Sequence, residues 1–291
     1  MRVTQNMMMD TILRNISANL ERLERVQSEL SSGKQIRQPS DDPIGTATVL
    51  RLQSSQAQIT QYLKNVDEAQ SWLDLTDQAL STIGDAVQRA RELIVQAAND
   101  TLSAADRQAI WNELTALQQQ IVATANTAHA GQYLFSGQKT QTTPFDATTD
   151  PPTYQGDNGA LTRIIDSGVT LTINVPGNVA ITPVLQAIKQ ARDAVAANDT
   201  AAIQTSLGVL DNAHSQLLAA QAQIGAQANR LDAQRNRLLE AQTSTLRLLS
   251  QAQDADMAQA SVEFAEAQLT YRAALQAAAQ AIQPTLADYL R

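Results

Sequence analysis

The chain has 291 residues with 21 basic and 29 acidic side chains, a formal net charge of −8, and no cysteine. The excess of negative charge argues against a nucleic-acid partner, and the absence of cysteine excludes disulfides and thiol chemistry. Only 3% of the residues are aromatic, while Ala, Gln and Leu dominate, so the composition favours long, closely packed helices over a thick globular core.

The N-terminal segment predicts a helix with an apolar stripe. Its large apolar residues follow the 3-4 spacing of a coiled-coil seam and are Leu13, Ile16, Leu20, Leu23 and Leu30. The segment lacks the continuous apolar core and small-residue cleavage site of a signal peptide, so we expect no cleaved signal peptide. No run of residues approaches the roughly 18 apolar positions of a membrane span, so we also expect no membrane insertion.

The stretch LSSGKQIRQPSDDP (30–43) follows this helix and allows three interpretations. A phosphate loop would need a second glycine and a Ser or Thr after Lys34, and the sequence has neither at the required spacing. A metal site would need ligands beyond Asp41 and Asp42, and no His or Glu stands nearby. Helix capping fits best: Gly33 ends the first helix, Asp42 caps the second, and Pro43 takes its first position.

Seven-residue repeats continue along most of the remaining chain. They are sustained over more heptads than a globular helix needs, which is typical of a coiled coil. Ser103 and Asp106 form a capping box before a shorter helix. The repeating apolar positions are Leu52, Ile59, Val66, Leu73, Leu80, Val87 and Ile94; Ile110, Leu114, Leu117 and Ile121; Ile203, Leu210, Leu217, Ile224, Leu231 and Leu238; and Met257, Phe264, Tyr271, Leu275 and Ile282.

Residues 140–182 interrupt this helical pattern with Thr, Pro, Gly and Asp. The alternating segment VTLTINV (169–175) predicts a half-buried strand, and Thr182 with Pro183 predicts the cap and first residue of a new helix. Because Pro- and Gly-rich segments bound the insertion, we expect it to fold semi-independently. The predicted fold class is therefore mainly α, a long antiparallel helical coiled-coil rod with a small β-rich insertion.

Residues suited to catalysis are sparse. His129 and His214, the two histidines, lie in helical Ala/Gln surroundings, where a lone histidine is more often a surface or packing residue. Asp254 and Asp256 point to different sides of a helix and do not form a carboxylate pair. We therefore predict neither an enzyme nor a cofactor or metal site.

Three motifs together resemble the flagellin family: LSSGKQIRQPSDDP, GQYLFSGQKTQTTPF (131–145) and ALQAAAQAIQPTLADYLR at the C-terminus. Flagellins usually carry a small residue after the paired aspartates, whereas Pro43 here is more similar to the hook–filament junction branch of the family. A short flagellin that forms the filament itself is the alternative. The residues that carry the first two motifs are Ser32, Gly33, Asp41, Asp42 and Pro43, and Gly131, Tyr133, Leu134, Phe135 and Gly137.

The resemblance implies a domain organisation. Residues 1–42 and 251–291 would be paired terminal helices of an inner tube, 43–139 and 183–250 a helical rod, and 140–182 a small outer domain. Within the GQYLFSG motif, Gly131 would end a helix and the aromatic residues would pack locally at the end of the rod.

The resemblance also implies location and partners. The chain would be an extracellular structural subunit of the flagellum, exported by the type III apparatus with a flagellar export chaperone. It would form a ring-like helical turn with identical subunits, between the first hook-associated protein and flagellin. The apolar stripes of the first and last helices would be the subunit contacts, and both ends of the chain would order on assembly.

Overall fold

The computed structural model describes residues 5–99 and 102–282, with side chains for 7–99 and 102–280. These residues form two compact units. The first combines the chain up to residue 57 with the chain from residue 242 onward, and the second comprises residues 58–241. Both units are built mainly from helices, as the sequence predicts, and the small antiparallel sheets all lie in the second.

Long helices account for most of the described chain, because Ala, Leu, Gln and Arg are strong helix formers. The two longest have 55 and 54 residues. The helices are α1 (Gln5–Ser32), α2 (Pro43–Ala97), α3 (Ala104–Ala125), α4 (Gly177–Ala180), α5 (Thr182–Ala197), α6 (Thr200–Gln253) and α7 (Met257–Ile282).

The heptad seams of α2 and α6 are buried, as predicted, except at Leu52, which is half-buried. From Ile59 to Ile94 every seventh residue of α2 is at most 8% exposed, and the six predicted residues of α6 from Ile203 to Leu238 are at most 4% exposed. Two ion pairs connect the helices: Arg91 pairs with Asp211, and Asp67, which comes earlier in α2, pairs with Arg235, which comes later in α6. α2 and α6 are therefore antiparallel.

Three antiparallel hairpins make up the sheet structure of the described residues. They are β1 (Ala128–His129) with β2 (Gln132–Tyr133), β3 (Phe145–Asp146) with β4 (Thr153–Tyr154), and β5 (Thr162–Asp166) with β6 (Val169–Thr172). The first hairpin precedes residue 140, so the β-rich region begins earlier than the sequence pattern indicates. β6 also ends before the predicted 175, although the amide of Ile173 still donates to the carbonyl of Leu161 at 2.9 Å.

The insertion shares one continuous core with the helices of the second unit. Phe145 and Ile165 are each 1% exposed and belong to the same cluster as Leu73 of α2. The side-chain Nδ2 of Asn65 on α2 also donates to the carbonyl of Ile164 on β5 at 2.7 Å. The alternating apolar side chains of the insertion are therefore buried against the helices, and its semi-independent folding stays a prediction.

Helix boundaries follow the capping residues with one exception. The capping box is confirmed, since Ser103 and Asp106 bond each other's backbone amides. At α5 the prediction is wrong by one residue: Ile181 occupies the cap position, and Thr182 is already helical. The Thr182 hydroxyl donates to the carbonyl of Gly177 in the preceding turn at 3.5 Å, so it does not cap its own helix.

None of the described helices combines the length and apolar character needed to cross a membrane.

Candidate functional site

The loop between α1 and α2 has the predicted capping structure. Gly33 adopts a left-handed conformation (φ 68°) and its amide donates to the carbonyl of Glu29 at 2.8 Å, which ends α1. Asp42 Oδ1 accepts a hydrogen bond from the amide of Ile44 at 3.0 Å, and Pro43 is the first residue of α2. The hydroxyl of Ser32 accepts from the amide of Lys34 at 3.3 Å.

Asp41 has a separate role within this loop. Its Oδ2 accepts hydrogen bonds from the amides of Arg37 and Gln38, each at 3.1 Å. These two bonds hold the pKa of Asp41 below its ordinary value, because they favour the charged carboxylate. Asp41 and Asp42 thus fold the loop individually, and within the described part of the chain no cluster of three or more metal-ligating side chains occurs.

The loop also bonds the short break between α6 and α7. The amide of Gln35 donates to the carbonyl of Gln253 at 2.8 Å, and the amide of Ala255 donates to the carbonyl of Gly33 at 2.9 Å. The side-chain Nε2 of Gln253, a residue only 8% exposed, donates to the carbonyl of Ile36 at 3.3 Å. The segment around residue 33 is therefore paired with the segment around residue 254 by main-chain hydrogen bonds.

Gly45, in the first turn of α2, is a second residue that the sequence analysis missed. A Cβ atom at this position would lie 2.4 Å from both Asp42 Oδ2 and Ile36 Cδ1, so a larger residue would require these two side-chain ends to shift. It stands two residues after Pro43, and this short spacing from a cap was the available signal. Gln253 gave no comparable signal, because its partner Ile36 is 217 residues away in sequence.

Beneath the loop lies a cavity of about 590 Å³ with a mixed, largely polar lining. Arg25 and Glu29 of α1 line one part of it, and Arg37, Asp41 and Asp42 of the loop line another. The loop is consequently held by hydrogen bonds and by the packing of Ile36 against Gly45 and does not lie on a large apolar core.

The terminal helices α1 and α7 lie along each other in the first unit. The side chains buried on them are mostly small, as in Val26, Ala260, Ala267 and Ala278, which allows close approach of the two backbones. Of the predicted stripe, Ile16, Leu23, Leu30, Phe264 and Tyr271 are half-buried. The side chain of Ile282 lies outside the described residues.

The remaining predicted stripe residues are exposed: Leu13 is 55%, Leu20 37%, Met257 47% and Leu275 43% accessible. The structure adds residues that the sequence analysis missed, above all Val262 and Leu269 at 60% and 66%. These two are seven residues apart, and that repeat was the signal for a second stripe on α7. We name this exposed set the terminal apolar surface; its members are Leu13, Leu20, Met257, Val262, Leu269 and Leu275.

The GQYLFSG segment forms a turn in the second unit. Leu134 and Phe135 are fully buried and Tyr133 is half-buried, as local packing requires. Gly131 (φ 78°) lies in the turn between β1 and β2 and does not end a helix, because α3 ends earlier, at Ala125. Gly137 (φ 70°) lies so close to the backbone of Asp157 that an added Cβ would be 2.1 Å from the Asp157 carbonyl oxygen.

Tyr154 and Asp157 make hydrogen bonds to the backbone of the GQYLFSG turn or of the residues beside it. The Tyr154 hydroxyl lies 2.7 Å from the carbonyl oxygen of Asp157 and 2.9 Å from that of Phe135, and it donates to one of them. Burial, with the nearby charge of Asp157, raises the pKa of Tyr154 to about 12. Backbone amides of Gln138 and Gly159 hold the pKa of Asp157 below its ordinary value.

A buried arginine joins the insertion to the helices. Arg192 of α5 is 7% exposed, pairs with Asp150 of the insertion, and donates to Gln118 Oε1 of α3 at 2.5 Å. Its guanidinium carbon lies 5.3 Å from the centroid of the Trp111 ring. These contacts fix the 146–152 segment to α3 and α5, a connection between distant residues that no local motif indicates.

Comparisons with known proteins identify the class to which this architecture belongs. The model of the bacterial flagellin N-terminal helical region matches residues 3–140, and the model of the flagellin C-terminal helical region matches residues 207–290. Together the two matches take up most of the chain. The chain belongs to the flagellin family.

Particular relatives refine this result. Flagellar hook-associated protein 3 of Salmonella typhimurium is 33% identical over 61% of this chain and 56% of the relative. The protein of the same name from Escherichia coli K12 is 31% identical over 73% of this chain and 65% of the relative. The chain thus spans less than two thirds of the length of both. A Bacillus subtilis flagellin is 27% identical over 97% of each chain.

Among solved structures, a flagellar hook-associated protein from Vibrio parahaemolyticus has a TM-score of 0.68 at 23% identity. The match covers 74% of this chain and 100% of the other. At this identity the likeness establishes the shared fold.

Proposed function

We propose that this chain is a structural subunit of the bacterial flagellum at the junction between hook and filament. The observation that carries the proposal is the combination of two flagellin helical regions with 33% and 31% identity to two hook-associated proteins 3. Pro43 after the paired aspartates agrees with this branch of the family.

The terminal helices supply the means of assembly in this proposal. Exposed Leu, Val and Met side chains on one protein are costly in water, at about 25 cal/mol per Å² of apolar surface, and burial against a neighbour removes that cost. The terminal apolar surface contains six such side chains on two helices of one unit. Neighbouring identical subunits would cover it within a ring-like helical turn, below flagellin and above the first hook-associated protein.

The proposal also covers the absence of catalysis, the route of export, and the place of each part of the chain in the flagellum. The chain acts as a structural protein without catalysis and functions outside the cell after export by the flagellar type III apparatus with its chaperone. Residues 1–42 and 251–291 form the inner part of the assembled flagellum, and the helical and β-rich residues between them lie further out. Ordering of the chain ends on assembly belongs to this proposal as well.

A short flagellin is the second candidate, favoured by one observation: the Bacillus subtilis flagellin matches over 97% of both chains. The two functions predict different assemblies. A junction subunit adds a short, self-limiting segment to hooks that carry the first hook-associated protein and then permits flagellin to grow. A flagellin extends itself into long filaments.

Electron microscopy of purified protein added to such hooks distinguishes these functions. The junction proposal expects a short added segment and filament growth only after flagellin is supplied. Long filaments of this chain on hooks that already carry a known junction protein would establish the alternative, and the absence of addition to either kind of hook would contradict both functions. Hooks supplied with a known junction protein serve as the positive control.

A further inference from the structure

Asn158 is followed by Gly159 in the loop between β4 and β5, and nowhere else in the sequence does a glycine follow an asparagine. The Asn158 side chain is exposed to solvent. An Asn–Gly pair can react with itself, because the glycine has no side chain to keep its backbone nitrogen away from the side-chain carbonyl carbon of the asparagine. This loop therefore contains both partners of an intramolecular reaction.

The products of the reaction follow from its atom balance. A bond forms between the Gly159 nitrogen and the Asn158 side-chain carbon, the Gly159 amide proton passes to solvent, and the side-chain nitrogen takes up a proton and leaves as ammonia. The resulting five-membered ring adds one water molecule and opens at either of its carbonyls. One opening leaves an aspartate at position 158, and the other leaves an isoaspartate, whose backbone is one carbon longer. Both products add a negative charge next to Asp157.

The fold opposes this reaction through Asp157. The Gly159 amide must lose its proton before the nitrogen can attack, and it donates a hydrogen bond with that proton to Asp157 Oδ1 at 2.9 Å. Loss of the proton would place two negative charges at this distance, and their repulsion corresponds to about a tenfold factor even at the dielectric constant of water. Gly159 is also held in position, because Asn174 Nδ2 donates to its carbonyl at 2.9 Å.

We propose that Asn158 is a site of spontaneous deamidation and that the Asp157 carboxylate slows the reaction in the folded chain. Asp157 Oδ1 also accepts a hydrogen bond from the backbone amide of Gln138, beside the GQYLFSG segment, at 2.7 Å. A longer backbone or an added charge at position 158 would weaken this bond, so deamidation would loosen the loop from the GQYLFSG segment. The reaction consumes only water and does not depend on the proposed function.

Mass spectrometry of the full chain after incubation in mildly alkaline buffer tests the site. Trypsin releases residues 140–163 as one peptide, in which Asn158 is the one asparagine, and residues 164–189 as another, which contains Asn178. Asn178 is also exposed but is followed by valine, so it serves as the internal control. The expected result is conversion of the amide to the acid at Asn158, with formation of isoaspartate, and far less conversion at Asn178.

Asp157→Asn removes the charge but keeps an oxygen that can accept the same hydrogen bonds. We expect this variant to deamidate about tenfold faster at Asn158 and at an unchanged rate at Asn178, with fragment ions separating positions 157 and 158. Circular dichroism confirms that the variant keeps its helices. An unchanged rate at Asn158 in the variant would overturn the role of Asp157.

The native chain unfolded in urea provides a comparison that needs no variant. Its Asn158 should deamidate faster than in the folded chain, because the hydrogen bond from Gly159 to Asp157 is then lost. Equal rates in the folded and unfolded chain would overturn protection by the fold. If Asn158 stayed intact in urea under the same alkaline conditions, the modification site itself would be wrong.

Discussion

The side-chain amide of Gln253 donates a hydrogen bond to the backbone carbonyl of Ile36 across 217 residues of sequence. This bond places the end of α6 against the loop that follows α1, so the loop motif takes its structure partly from the far end of the chain. Gly45 lies in the first turn of α2, and its missing side chain allows Ile36 and Asp42 to approach this helix. The motif therefore has a structural role, and its residues are expected to respond to substitution as packing and capping residues do.

Gly45→Ala tests this packing. Alanine favours a helix over glycine by about 1 kcal/mol, but at position 45 its Cβ would lie 2.4 Å from two atoms of the loop. We therefore expect Gly45→Ala to loosen the loop, seen as faster amide hydrogen exchange at residues 33–42. Gly208→Ala on α6 is the matched control, since nothing lies within 4 Å of its added Cβ, and it should stabilise the protein. Unchanged exchange in Gly45→Ala would contradict the packing described here.

Ile165→Ala tests whether the insertion belongs to the core of the second unit. Ile165 is 1% exposed, whereas its neighbour Ile164 on the same strand is 53% exposed. Removing a buried isoleucine side chain costs about 2–5 kcal/mol, so we expect Ile165→Ala to lower the urea midpoint of the helical transition clearly and Ile164→Ala to change it little. Loss of the β-region alone, with the helical transition unchanged, would instead support an insertion that folds separately.

Asp150→Asn tests the contact between the insertion and α5. The variant leaves the buried guanidinium of Arg192 beside a neutral partner, and because Asp150 itself is half exposed we expect a loss of roughly 1–3 kcal/mol near neutral pH. Asp67→Asn, in the exposed pair with Arg235, is the control and should have little effect. Equal effects of the two substitutions in urea unfolding would show that burial of Arg192 contributes nothing.

The difference in unfolding free energy between the native chain and Asp150→Asn should depend on pH. Burial opposes ionisation of Asp150, but the hydrogen bond from Gln118 and the charge of Arg192 outweigh it, so its pKa in the folded chain lies below 3.8. A lowered pKa contributes stability that is complete above 3.8 and is lost as the pH falls through the folded-state pKa. The difference between the native chain and Asp150→Asn should therefore shrink below pH 3.8. A constant difference down to the acid transition would exclude this carboxylate as its source.

Much of the helical structure could be predicted from the sequence, because heptads repeat over many turns and every repeat carries the same information. The seams of α2 and α6 and the caps at Gly33 and Asp42 are local patterns of this kind. The insertion was less predictable, since burial of Ile165 depends on helices distant in sequence. Gln253 and Arg192 share this difficulty: each is a polar residue whose partner is set by the fold and by no neighbouring motif.

The contact between the terminal helices was also difficult to predict from the sequence. Their heptads predict apolar stripes, but the periodicity alone does not determine which side chains the other helix covers. Small residues such as Ala260 and Ala267 are buried, while the larger Val262 and Leu269 are exposed. Close approach of two backbones favours small side chains at the contact, so the larger ones remain available for other partners.

In the proposed function the terminal apolar surface joins this subunit to its neighbours, and a pair of charge substitutions on α7 tests whether it does. Leu269→Asp and the adjacent control Thr270→Asp, both at exposed positions of α7, are compared in the addition of protein to hooks that carry the first hook-associated protein, with electron microscopy as the readout. Both variants should keep the thermal transition of the free chain. We expect Leu269→Asp to fail in forming the junction segment and Thr270→Asp to form it; normal addition of folded Leu269→Asp would contradict the claim.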